Sequence, residues 1–219
     1  MDTEAAKRRA AESAAATVPD GAVVGLGSGS TAAHAIRALG GRDVRGVPTS
    51  LQSRAVALEA GVPLVELDQV EGVDVAVDGA DQVARGDAIK GGGGAHAREK
   101  VVDAAADRFL LVVDPSKEAG ALDRPVPVEV LPWARPAVEA AIAGLGGEPA
   151  LRAADGKSGP VVTENGNLLL DCAFGTITDP GELADSLSGL PGVVEHGLFV
   201  GMADEIHVGT EDGTRVREL

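Results

Sequence analysis

With 219 residues, 44% of them hydrophobic, the chain can bury a core as one domain or as one domain with a smaller insert. A net charge of −15, with three Phe, one Trp and no Tyr, argues against a nucleic-acid backbone or stacked bases as partner. The single Cys172 excludes an internal disulfide framework, and no apolar run approaches the ~20 residues of a membrane span. Residues 1–16 are Ala-rich and charged, without a signal-peptide apolar core, so a cytoplasmic protein that binds no membrane is expected. Five Lys stand against fourteen Arg and thirty-four acidic residues, a surface suited to concentrated salt.

In chain order, residues 4–17 read as a helix and 22–26 as a buried strand. Ser30 is placed to cap a helix that Gly40-Gly41 stops. Residues 44–47 read as a strand, Ser50 caps a helix ending at Gly61, and 62–67 and 73–77 read as further strands. A helix over 95–106 and a strand over 109–113 follow. This alternation predicts an α/β fold with a doubly wound, mostly parallel sheet of Rossmann-like type. From residue 126 the rhythm changes: strand 126–130, helix 136–145, strand 148–152, strand 168–173, helix 180–188 capped by Asp179, and strand 193–196. That β-α-β-β-α-β order predicts an inserted ferredoxin-like α+β domain over 126–197, a lid or an assembly surface. Residues 1–125 plus 198–219 would form the Rossmann-like catalytic domain, with 198–200 and 206–208 returning to its sheet.

Ligands in such sheets bind beyond the carboxyl ends of the strands, and three motifs fall there. Gly25-Leu26-Gly27-Ser28-Gly29-Ser30-Thr31 joins a strand to a helix. Neither the dinucleotide fingerprint nor the nucleoside-triphosphate loop fits it, which leaves a monophosphate cradle of Ser28, Gly29, Ser30 and Thr31, or a plain turn. Asp78-Gly79-Ala80-Asp81 ends another strand, with paired carboxylates for sugar hydroxyls or, in the alternative, turn aspartates. A metal is the weaker choice, because the four histidines are scattered and no HExxH or CxxC pattern exists. Asp114-Pro115-Ser116-Lys117 is the third, and Lys117 is one of few cations available to an anionic substrate.

The richest stretch is Lys90-Gly91-Gly92-Gly93-Gly94-Ala95-His96-Ala97-Arg98-Glu99-Lys100. Consecutive glycines bring backbone N–H groups against a ligand with no side chain in the way. Lys90 supplies a cation at the loop's entrance, and Glu99 arrives one turn into the next helix. A shielded carboxylate there can act as general base; the plain alternative is a surface acid paired with Arg98 or Lys100. His96 reads as solvated or locally bonded, and Cys172 as a small buried hydrophobe.

Taken together, GLGSGST, DGAD, KGGGGAHAREK, DPSK, PVEVLP (127–132), NGNLLLD (165–171) and GVVEHGLF (192–199) resemble the A-type ribose-5-phosphate isomerases, nearly end to end. The resemblance implies interconversion of D-ribose 5-phosphate and D-ribulose 5-phosphate in the non-oxidative pentose phosphate pathway, with no metal or organic cofactor, in a homodimer or homotetramer. It implies Glu99 as catalytic base and Asp78, Asp81 and Lys90 as polar active-site groups. Substrate contacts would come from Ser28, Gly29, Ser30 and Thr31, from Gly79 and Ala80, from Gly91, Gly92 and Gly93, and from Lys117. Three departures are visible: Ser28 for threonine, Gln82 for glutamate, and His96-Ala97 for Leu-Thr. Related sugar-phosphate isomerases, deaminases and lactonases typically need a catalytic histidine, which the scattered histidines do not supply. A non-catalytic sugar-phosphate sensor would keep the cradle but would carry a DNA-binding helix pair, and no basic helix-turn-helix segment is present.

Overall fold

A computed structural model describes residues 2–156 and 158–219. In chain order the elements are α1 (Thr3–Ala15), β1 (Val23–Leu26), α2 (Ser30–Ala38), β2 (Arg45–Pro48), α3 (Leu51–Ala60), β3 (Val73–Asp78), β4 (Gln82–Ala84) and β5 (Asp87–Ile89). There follow α4 (His96–Ala104), β6 (Ala106–Val113), β7 (Val126–Val130), α5 (Arg135–Gly144), β8 (Glu148–Leu151) and β9 (Leu168–Ala173). The last are α6 (Pro180–Ser188), β10 (Val193–His196), β11 (Leu198–Phe199), β12 (Glu205–Gly209) and β13 (Thr214–Glu218). They divide into two compact units: residues 1–80, 98–118 and 201–219, and residues 81–97 and 119–200.

The first unit is built on a six-stranded sheet in the order β13-β12-β6-β3-β1-β2. All neighbours pair in parallel except β12 with β13. The central strands carry continuous apolar runs, such as Phe109-Leu110-Leu111-Val112-Val113, because helices cover both faces of a parallel sheet. Asp2 starts α1 by accepting from the Glu4 N–H at 3.0 Å. Its buried stripe is all alanine (Ala6, Ala10, Ala11, Ala14, Ala15), which lets the helix lie close on the sheet. The approach is so tight at Gly209 that a Cβ there would sit 1.8 Å from the Ala6 carbonyl oxygen. Ser50 caps α3 through a reciprocal bond with Ser53.

The second unit holds a four-stranded antiparallel sheet in the order β10-β7-β9-β8, with α5 and α6, the expected ferredoxin-like arrangement. Side chains alternate along it. Val126, Val128, Val130, Leu170 and Cys172 join Val138 and Ile142 of α5 and Leu187 of α6 in the core. Glu129, Leu169 and Asp171 therefore occupy the opposite face. A separate three-stranded sheet, β11-β5-β4, belongs to this unit, which makes it wider than residues 126–197.

The structure corrects several expectations. Residues 62–67 are not a strand: Leu64 forms a single bridge to Gly46, Pro63 has no N–H to extend the ladder, and the chain turns at Leu67–Gln69. Ser30 is not the cap of α2 but its first residue; Gly29 takes the cap position, with no side-chain bond. Residues 198–199 do not return to the first sheet but pair with β5. The short β4–β5 hairpin, turned by Arg85 (φ 56°) and Gly86 (φ 108°), is not legible in the sequence because three-residue strands carry no periodicity.

Candidate active site

In the first unit, β1, β3 and β6 are sheet neighbours, so the motifs after them share one edge. The turn after β1 is pinned to β3. The Gly27 N–H donates to the Val77 carbonyl at 3.0 Å, and Asp78 Oδ1 accepts from the N–H groups of Ser28 (3.0 Å) and Gly79 (2.7 Å). Asp78 is fully buried, and Gly27 lies against it without a side chain between them. The Ser28 hydroxyl bonds Thr49 Oγ1 at 2.9 Å and Ser50 Oγ at 2.6 Å, so it braces the turn through the segment after β2. Local sequence assigns Ser50 only the role of a helix cap. The parallel register Leu26↔Pro48 is what carries Thr49 and Ser50 to Ser28.

Gly29 and Ser30 are exposed at the start of α2, whereas Thr31 is buried. The Gly29 N–H donates to Gln52 Oε1 at 2.8 Å. After β6, Asp114 Oδ1 accepts from the Ser116 N–H at 2.9 Å and its hydroxyl at 2.5 Å, closing the turn that presents the half-buried Lys117. Glu99, on α4, is only 4% exposed, which removes the surface-acid alternative, while its neighbour Arg98 is exposed.

In the second unit, Asp81 is fixed at both ends. Its N–H donates to the Ile89 carbonyl (2.8 Å), its carbonyl accepts from Arg124 Nη1 (3.0 Å), and its Oδ2 accepts from the Gly92 N–H (2.7 Å). Lys90 is buried, with its ammonium 5.2 Å from the Phe199 ring centroid, a cation–π contact. Its N–H donates to the Gly197 carbonyl at 2.8 Å. Gly91 is buried, whereas Gly92 and Gly93 are exposed. Gln82 is a structural clip: its amide donates to Asp123 Oδ1 (2.6 Å) and accepts from the N–H groups of Asp123 (2.9 Å) and Arg124 (3.1 Å).

His96 is not solvated. It is fully buried, with Nε2 3.2 Å from the Glu195 carbonyl oxygen, a partner 99 residues away that sequence proximity could not reveal. Cys172 is buried as expected, and burial, with Asp171 and Glu139 nearby, pushes its thiol up to about 12. Among the described residues, no group of three His, Cys, Asp or Glu could hold a metal ion, and no helix is long and apolar enough to cross a membrane.

The first unit thus falls in the class of α/β proteins that present a glycine-rich turn, a helix N-terminus and carboxylates beyond the carboxyl ends of parallel strands. Residues 45–213 match the family described as ribose 5-phosphate isomerase A (phosphoriboisomerase A). The ribose-5-phosphate isomerase A of Haloarcula marismortui is 65% identical over 222 residues, covering 99% of this chain and 97% of that protein. A D-ribose-5-phosphate isomerase solved in complex with phospho-erythronic acid superposes with a TM-score of 0.97 at 40% identity, covering 100% of both chains. The Methanocaldococcus jannaschii ribose 5-phosphate isomerase A gives 0.93 at 43% identity, covering 97% of this chain and 98% of that one. The chain belongs to the ribose 5-phosphate isomerase A family.

Proposed function

We propose that this chain interconverts D-ribose 5-phosphate and D-ribulose 5-phosphate through a cis-enediolate, with Glu99 as general base. The observation that carries this reading is a carboxylate only 4% exposed, one helical turn beyond a four-glycine loop, in a chain of this family. The ring form of the sugar must open first, and Asp81 moves the proton between ring oxygen and hydroxyl. Glu99 then takes the C2 proton of the open aldose and returns it to C1. Negative charge grows on oxygen in that step, and Lys90 with the N–H groups of the glycine loop stabilises it.

Asp78, whose Oδ1 is held by two backbone N–H groups, orients hydroxyls. Ser28, Gly29, Ser30, Thr31 and Lys117 take the phosphate, and Gly79 and Ala80 line the sugar. Remote phosphate binding contributes to the barrier reduction, so unphosphorylated ribose is a very poor substrate. The enzyme works in the cytoplasm as a homodimer or homotetramer, with residues 126–197 as lid or assembly surface, and needs no cofactor. Its acidic, lysine-poor surface favours concentrated salt.

The test is ribulose 5-phosphate formation, with EDTA present, at low and molar salt, for wild type and Glu99→Gln. Turnover that survives EDTA and falls ~10²–10⁴-fold in the variant supports the assignment. Near-wild-type turnover in Glu99→Gln removes Glu99 as the base. Binding of ribose 5-phosphate without turnover in the wild type identifies a sensor instead.

A further inference from the structure

The glycine loop offers no side chains by which the fold can grip it, yet it must hold Lys90 and its own N–H groups in one arrangement. Glycine also loses the most conformational freedom on ordering. Something outside the loop has to hold its backbone, and within the second unit that role falls to Arg152. Its Nη1 donates to the carbonyls of Gly91 (2.9 Å) and Gly92 (3.1 Å). Its Nε and Nη2 are taken by Asp171 Oδ2 (2.9 Å) and Oδ1 (2.5 Å), a bidentate pair that fixes the guanidinium plane. Arg152 is itself anchored, its N–H donating to the Leu169 carbonyl and its carbonyl accepting from Val161.

The Gly91–Gly92 peptide group is gripped from both sides. Its carbonyl accepts from the Arg152 guanidinium, and its N–H donates to Asp81 Oδ2 at 2.7 Å. A cation on the carbonyl polarises the amide and strengthens the N–H as a donor. There is no slack in the surroundings. A Cβ on Gly92 would lie 2.6 Å from Asp81 Oδ1, and one on Gly91, where φ is +102°, would lie 2.8 Å from His96 Nδ1.

We infer that Arg152, oriented by Asp171, is a positioning residue for this enzyme: it sets the Gly91–Gly92 peptide and, through it, the carboxylate of Asp81. The inference rests on the isomerase reading, in which Asp81 moves a proton. Asp171 sits on the face of β9 opposite the helix-covered core, so the pair is placed by the strand's alternation and is no part of the apolar packing.

The experiment measures kcat and KM for ribose 5-phosphate, and the thermal midpoint, for wild type, Arg152→Gln, Arg152→Lys and Asp171→Asn. A misplaced Asp81 lowers kcat, so Arg152→Gln is expected to lose ~10–10²-fold in kcat with KM within about threefold. Lysine restores a cation on the carbonyls but not the fork to Asp171, so Arg152→Lys recovers part of the loss. Asp171→Asn, which keeps the arginine and loosens its plane, falls between wild type and Arg152→Gln. If Arg152→Gln does not fold, the same kcat criterion is applied to Asp171→Asn. Full kcat in the folded variants, or a loss confined to KM, overturns the inference. An inactive wild type removes the isomerase reading and the inference with it, whereas an active wild type with full kcat in the variants removes the inference alone.

Discussion

Gly27→Ala adds one methyl group where the structure has no room for it. The new Cβ would stand 2.1 Å from Asp78 Oδ1, 2.2 Å from its Cγ and 2.5 Å from its Cβ. Uncrowded contact begins near 3.5 Å, so the carboxyl group must retreat by roughly 1 Å. Asp78 is fully buried, and its Oδ1 holds the Ser28 and Gly79 N–H groups at 3.0 and 2.7 Å. Retreat lengthens both bonds. Bonds to a charged acceptor are worth ~1.5–3 kcal/mol each and strain adds to the loss, so a cost of about 2–4 kcal/mol is expected. For a chain of this length that lowers the thermal midpoint by roughly 5–15 °C.

Catalysis suffers separately, because a ~1 Å displacement of a positioning group costs on the order of 10²-fold in rate. The assay pairs a thermal melt with ribulose 5-phosphate formation at saturating substrate, well below the variant's midpoint. Gly72→Ala is the control: nothing lies within 4 Å of its added Cβ, and its effect should stay within ~0.5 kcal/mol. A Gly27→Ala enzyme that melts and turns over like wild type would refute the claim that this glycine exists to admit the Asp78 carboxylate.

Three further outcomes are expected. Glu129 is fully buried, and its Oε1 accepts from Thr163 (3.0 Å), Asn165 (3.0 Å) and Asn167 (2.7 Å). Glu129→Ala should therefore cost about 3–5 kcal/mol in urea unfolding; a loss under ~1 kcal/mol would mean that this knot does not hold the 163–167 turn. Burial holds His207 below its ordinary value of 6.5, against the opposing pull of the Glu205 carboxylate. Its unfolded form takes the proton first as pH falls, so its stability contribution is complete above about 6.5 and declines below it. The drop in thermal midpoint between pH 7.5 and 5.0 should be smaller in His207→Gln than in wild type, and equal drops would contradict this. With its thiol pushed up to about 12, Cys172 should resist an aromatic disulfide reagent at pH 8 in the native protein and react promptly in urea. Rapid labelling of the native protein would show that the site opens.

Much of the fold was legible locally. Ser50 and Asp179 cap helices where their side chains allow, and the apolar run 109–113 is a buried parallel strand because nothing else would bury both its faces. The order of elements over 126–197 was readable because apolar strand segments alternate there with helices opened by Pro136 and Pro180. The β4–β5 hairpin was not, since three residues carry no period, and 62–67 departs from expectation because apolar composition cannot tell a strand from a segment that touches its neighbour once.

For the candidate site, the sequence alone determined which chemistry was available: the glycines, Lys90, Asp78, Asp81 and Glu99 are contiguous or nearly so. Only the tertiary structure decided which groups are withdrawn from water and what holds them. Gly27 meets Asp78, Ser28 meets Thr49 and Ser50, His96 reaches Glu195, and Arg152 with Asp171 takes the carbonyls of the glycine loop. These contacts join residues 19 to 99 positions apart, and no local propensity encodes them. Parallel register brings Thr49 and Ser50 to Ser28, and strand alternation turns Asp171 away from the apolar core; both are properties of the assembled sheets rather than of any segment.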